Sequence, residues 1–210
     1  MAHVRRPYLA GQPVHVVHRG VNRGAVFFQD LDRHRYLEEL RAVCSRYATN
    51  VHSYVLMDNH VHLLMTPTID GSISEVIRDV CRRYVPAVNR RTDRCGTLWD
   101  GRHYSARVDT DRYVIACYRY IELNPVRAGI VRHPGAFPWS SYRRNAFGMP
   151  NHLITPHPTY LALGDGCEEA AAAYEALARV PNAPAMEILS ATRLRAALQR
   201  RCSPPQATRT

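Results

Sequence analysis

The stretch YVLMDNHVHLLMTP (54–67) restricts the possible folds more than any other part of the chain. Two β-prone runs, 50–58 and 60–67, are separated by Asp58-Asn59 alone, a two-residue hairpin signal weaker than Asn-Gly because it lacks glycine. Side chains alternate between the two faces of a strand. His60 and His62 therefore share one face, and Val61, Leu63 and Met65 share the other. The chain must accommodate an antiparallel pair with one apolar face and two imidazoles on its reverse.

The segments around this hairpin extend the pattern. A short β-rich run over about 14–19 precedes turn glycines at Gly20 and Gly24. Residues 30–48 carry Leu31, Tyr36, Leu37, Leu40, Val43, Cys44 and Tyr47 at helical spacing, with Asp30 as the expected cap. Residues 72–91 repeat that spacing from Ser72 or Ser74, and Pro86 is expected to kink or shorten the helix. A strand bent at Gly101 is expected over 97–110. A helix over 110–125 is expected to be capped by Thr110 or Asp111 and to end before Pro125. The order β-α-β-β-α-β-α predicts an α+β, ferredoxin-like split βαβ fold. Its central antiparallel sheet would carry helices on one face and leave the other free.

We place a catalytic domain at 1–150 and a C-terminal extension at 151–210. Residues 126–150 read as irregular, 167–180 as helical, 181–184 as a linker and 185–201 as a basic helix. The tail from Cys202 is expected to be disordered.

Charge narrows the partners. Lys and Arg number 28 against 18 Asp and Glu, a formal net charge of +10. Most of the positive charge is arginine, whose planar fork suits phosphate, so nucleic acid leads among partners. A generically basic surface would give the same count. None of the six cysteines forms a C-x-x-C pair. Their scatter argues against a zinc ribbon or disulfide framework and for reduced thiols in the cytoplasm. No stretch approaches the length of a membrane span.

Two imidazoles at i, i+2 can share one divalent ion, although such pairs also arise by chance among eleven histidines. A structural zinc site would need four closed ligands, often cysteines, so an open site suits His60 and His62 better. The segment CYRYIELNPVRAGIV (117–131) offers further groups. Tyr120 and Asn124 lie at i, i+4 on one helix face, and an asparagine oxygen suits a hard cation such as Mg²⁺. Tyr118 points to the other side and reads as a packing or rim residue. Without the histidines, core packing would also be the simpler reading of Tyr120.

VHVVHRGVNRGAVFF, YVLMDNHVHLLMTP, GTLWDGRHYS, YIELNPVRAGIV and PWSSYR occur in that order over about residues 5–160. Together they resemble the single-tyrosine HUH transposase family, in particular its REP-associated tyrosine transposase branch. Val21 stands where such proteins often have a second asparagine, and Asp58 where proline is frequent. The resemblance implies metal-dependent cleavage and rejoining of single-stranded or hairpin DNA through a 5′-phosphotyrosine. It implies Tyr120 as nucleophile, and His60, His62 and Asn124 as ligands of Mg²⁺ or Mn²⁺. REP-like palindromic repeats are the implied partner, with a monomer acting in cis and a cytoplasmic, nucleoid-associated location.

Arg19, Arg23, Arg102, Arg107 and Arg127 are the expected DNA-positioning residues, although many arginines in such a chain form a solvated face. Trp99 and Tyr104 could stack on bases, with core packing the simpler role for Trp99. Two alternatives use the same residues. One is a hairpin-binding protein without transposition activity. The other is a metal-dependent hydrolase of small phosphoesters, which the basic charge disfavours.

Overall fold

The computed structural model describes residues 8–180. A four-stranded antiparallel sheet has the order β2-β3-β1-β4, formed by β1 (Val14–Arg19), β2 (Thr49–Met57), β3 (His60–Pro67) and β4 (Tyr104–Arg107). With α1 (Asp30–Arg46) and α2 (Ser72–Thr92) as crossovers, this is the expected split βαβ plan. The β2–β3 hairpin turns at Asp58-Asn59, and Met57 pairs with His60.

Alternation sorts the core into two layers. Val14 and Val16 of β1, Leu56 of β2 and Val61, Leu63 and Met65 of β3 pack with Leu40 and Val43 of α1 and Val76, Val80 and Tyr84 of α2. Truncating one of these side chains, as in Leu63→Ala, costs about 2–5 kcal/mol. The reverse face was expected to be bare, and it is not. Val55, Met57 and Leu64 point to it and pack against Val114, Cys117, Tyr118 and Ile121 of α3 (Asp111–Glu122). Residues beyond α3 make this second layer possible: Phe137, Tyr142, Tyr160 and Tyr174 join the same cluster.

Residues 126–150, expected to be irregular, include α5 (Tyr142–Phe147). Two short helices, α4 (Asn124–Arg127) and α6 (Pro158–Leu161), flank it, and α7 (Cys167–Arg179) follows as expected. Residues 139–155 also cover the outer edge of the sheet. Leu56 donates its N–H to Trp139 O, Ser141 to Tyr54 O and Thr155 to Val51 O. An edge covered in this way cannot recruit a strand from another molecule.

Three further expectations are corrected. Pro86 does not shorten α2, which runs on to Thr92. It lies on the exposed face, where water can solvate the carbonyl that its missing N–H would have engaged. The strand expected over 97–110 is reduced to β4. Residues ahead of it are held as a loop by the N–H of Val21 on Leu98 O and that of Asp100 on Arg19 O, with Gly101 at φ 62°. Asp30 is the first residue of α1, not its cap. Asp32 accepts the N–H groups of Phe28 and Gln29 instead, and Arg91 of α2 pairs with it.

Among the described residues, no helix is long and apolar enough to cross a membrane, and the five cysteines are all free. The basic helix expected over 185–201 lies outside the described residues.

Candidate active site

One strand has a change of phase that shapes this region. The register of β2 shifts between Val51 and Ser53. One extra residue at His52 opposes no partner, so the strand turns its side chains over at that point. Before the shift Val51 faces α1 and α2. After it Ser53, Val55 and Met57 face α3.

Opposed residues of an antiparallel pair share a face. The pairs Arg19–His60, Val17–His62 and His15–Leu64 therefore line up on the α3 side. α3 crosses that side and ends at Glu122. After a break at Leu123 the chain continues as α4 from Asn124. This path carries Tyr120 and Asn124 over the histidines.

The rings of His60 and His62 are 5.0 Å apart. The Tyr120 ring meets His62 and His15 edge-on, each at 5.7 Å between centroids. The Asn124 amide donates to Nε2 of His62 at 3.3 Å. The structure thus brings together Tyr120, His60, His62 and Asn124.

The outer ring nitrogens are held from behind. Asn59 donates its amide to Arg23 O at 2.9 Å, which turns its Oδ1 toward His60 Nδ1 at 2.7 Å. A carbonyl oxygen only accepts, so the His60 proton sits on Nδ1 and Nε2 keeps its lone pair. His62 is arranged alike: Nε2 accepts from Asn124, so Nδ1 donates to His15 Nε2 at 3.0 Å. Burial pulls His15 and His60 down to about 4 and His62 well below its ordinary value. The positive charges of Arg127 (on His15 and His62) and Arg19 (on His60 and His62) act in the same direction.

Neutral imidazoles whose Nε2 lone pairs face the site, that of His62 accepting from the Asn124 amide, fit a divalent cation once that amide rotates its oxygen inward. The ligand set would be two imidazoles and an amide. Among the described residues no group of three or more His, Cys, Asp or Glu could hold a metal ion.

The arginines divide. Arg19 pairs with His60 across the sheet, and Arg127 stacks on the Tyr120 ring. Arg23 is exposed beside the Asn59 turn. Arg102 and Arg107 are not at this site. Arg102 lines a cavity of about 360 Å³ with His18, Cys81 and His103 on the α2 side. Arg107 opposes Val14 on that same face. Arg102 precedes β4, where the expected strand is a loop, and Arg107 is turned away by its register opposite Val14. Trp99 is buried and stacked on His18 at 4.3 Å, so it packs the core. Tyr104 opposes Val17 and shares the histidine face, half-buried.

His15 and Asn59 were missed as site residues. Alternation within VHVVHR places His15 and Arg19 on one face, but only the strand register puts that face beside His62.

A model of the family described as "Transposase IS200 like" matches residues 10–124. The chain belongs to the IS200-like transposase family. It is accordingly an HUH-type transposase, of a class that is metal-dependent in general. The matched span ends at Asn124, and the rest of the extension lies beyond it. A solved structure of a REP-associated tyrosine transposase bound to a REP hairpin has the same fold. Its TM-score is 0.60 at 19% identity, covering 75% of this chain and 93% of that one. Among curated proteins there is no match.

Proposed function

We propose that this transposase cleaves and rejoins single-stranded DNA at a REP-like hairpin, with Tyr120 as the nucleophile. The observation that carries this reading is the Tyr120 ring set against two neutral imidazoles and Asn124, with Arg19 and Arg127 on either side. An anionic phosphodiester is the group such an arrangement suits: two fixed positive charges and a phenol within reach. The similar fold solved bound to a REP hairpin supports hairpin DNA as the partner.

In this reading the guanidinium groups of Arg19 and Arg127 hold the phosphate in line with Tyr120. The phenolic oxygen attacks phosphorus and loses its proton to solvent. The P–O3′ bond breaks with its electron pair on O3′, which takes a proton from solvent and is released as a 3′-hydroxyl. The 5′-phosphate end remains on Tyr120. A 3′-hydroxyl then reverses the step and frees the tyrosine. No nucleoside triphosphate is required, because the phosphotyrosine retains the phosphodiester bond energy. His60, His62 and Asn124 would hold Mg²⁺ or Mn²⁺, which supplies charge that polarises the phosphate. Residues 1–150 form the catalytic domain, 151–210 its extension. The enzyme acts as a monomer, in the cytoplasm at the nucleoid.

The test uses a labelled strand that folds into a hairpin with a short unpaired flank, with and without its full complement, at fixed salt with Mg²⁺. A covalent adduct on a denaturing gel is expected from the hairpin and little or none from the duplex. A stacked, paired strand restricts in-line approach. Equal cleavage of both forms overturns the reading.

A further inference from the structure

We infer that Glu122 is a positioning residue for the strand-transfer reaction: through it, β2, α5 and α7 seat Tyr120 and Asn124 over the histidines. This rests on the function proposed above.

Glu122 is the last residue of α3, two positions after Tyr120 and two before Asn124. On a helix, a separation of two residues places side chains on roughly opposite faces. Tyr120 turns toward the histidines and Glu122 toward the extension. The Glu122 side chain is completely buried. Its carboxylate accepts four hydrogen bonds from three segments: β2, α5 with the residue that precedes it, and α7. Ser53 Oγ of β2 donates at 3.1 Å, and the Ser141 hydroxyl ahead of α5 donates to the same oxygen. Asn145 Nδ2 of α5 donates at 2.7 Å, and Tyr174 OH of α7 reaches the other oxygen at 2.7 Å. Ser141 is itself fixed, because its Oγ accepts the N–H of Tyr54 at 2.8 Å.

Among the described residues no ion pair involves Glu122, and all four partners are neutral. A buried carboxylate without a counter-charge is costly, and an apolar side chain would fill the space at less expense in free energy. What the carboxylate adds is geometric. One rotation and one height of the last turn of α3 satisfy four donors at once. That turn ends at the break where the nucleophile's helix stops and Asn124 begins. In-line attack is sensitive to this placement, since a displacement of about 1 Å can cost about 100-fold in rate. Three of the four donors, Ser141, Asn145 and Tyr174, lie beyond residues 10–124, the span that the family model matches, so the seating joins that span to the chain that follows it.

Two matched substitutions separate positioning from mere stability. Tyr174→Phe removes one donor to Glu122. Tyr160→Phe removes an equally buried bond in the same cluster, to Asn145 O at 2.6 Å, without touching the carboxylate. Each full-length variant is assayed for the single-turnover rate of adduct formation with saturating hairpin, for hairpin Kd, and for amide hydrogen exchange in a peptide spanning 119–127. Tyr174→Phe is expected to slow adduct formation about tenfold, leave Kd within twofold, and raise exchange in that peptide. Tyr160→Phe is expected to change none of these, even where both variants lower Tm equally. Unchanged rate and exchange in Tyr174→Phe, or equal effects of the two variants, overturns the inference. Absence of any adduct from the unsubstituted protein would sink the strand-transfer reading instead, while the exchange comparison still reports on the seating.

Discussion

The guanidinium of Arg127 lies 4.0 Å from the centroid of the Tyr120 ring and donates to the carbonyl oxygen of the same residue at 2.5 Å. One side chain thus grips both the ring and the backbone of Tyr120, because α4 folds back at Leu123. Burial lowers the Arg127 pKa, opposed by Tyr120. Arg127→Ala is expected to slow adduct formation by about 10- to 100-fold. Arg127→Lys should recover only part, since an ammonium cannot lie flat on the ring and reach the carbonyl together. Single-turnover rates at saturating hairpin measure this, and a Lys variant equal to the parent would refute it.

Tyr120→Phe keeps the ring and removes the attacking oxygen. It should abolish the covalent adduct and leave hairpin binding intact. Tyr118 is the natural control. Its ring is buried and stacked on Tyr160 at 5.5 Å, and its hydroxyl accepts the N–H of His157. Burial raises its pKa well above the ordinary phenol value. Tyr118→Phe should still form adduct and lose about 1 kcal/mol of stability from the missing hydrogen bond. A gel in which Tyr118→Phe is the inactive variant would reassign the nucleophile.

His60→Ala and His62→Ala should each lower cleavage by orders of magnitude, and EDTA should abolish it. His15→Ala is more discriminating. His15 fixes the tautomer of His62 from behind, so its loss should weaken the apparent affinity for Mn²⁺ by about 10- to 100-fold while excess Mn²⁺ restores the rate. Titration of cleavage against Mn²⁺ reads this directly. Full activity in excess EDTA is incompatible with the assignment.

Away from the site, His18 and His52 are buried and held neutral, each pulled down to about 4 chiefly by burial. The unfolded chain protonates them near 6.5. Between pH 6.5 and 4 the unfolded state binds protons that the folded state does not. Stability is thus fully present above pH 6.5 and falls as pH drops toward 4, by an order-of-magnitude 3 kcal/mol for each residue. Urea unfolding at pH 7.5 and 5 should show the loss, and His52→Gln should flatten it. An unchanged slope in that variant would rule out His52 as a source.

Much of this arrangement is legible in the residues alone. Alternation in HVHLLMTP and helical spacing through YIELN place His60, His62, Tyr120 and Asn124 on facing surfaces, and turn chemistry fixes the hairpin. The missing parts depend on information that local pattern does not carry. His15 becomes relevant only through the β1–β3 register. Glu122 at the end of a helix reads as solvent-exposed until the tyrosines and serines beyond α3 are packed around it. The second helical layer comes from those same distant residues, so periodicity in residues 110–125 alone could not locate it. Pro86 was misjudged because its penalty depends on which face of α2 meets water.

The unpaired residue at His52 gives β2 two halves of opposite phase in sequence, yet both halves stay in register with β3. Deleting His52 would restore regular pairing and leave every other side chain of the strand on its present face, because Val51 stays opposite Met65 and Ser53 opposite Leu64. What would be lost is the imidazole, which ties Thr66 of β3 to the carbonyl of Thr155. A deletion farther along the strand is different: the slack at His52 can absorb it only by turning over the side chains between the two points. Related chains can therefore gain or lose this one residue without exchanging the two layers.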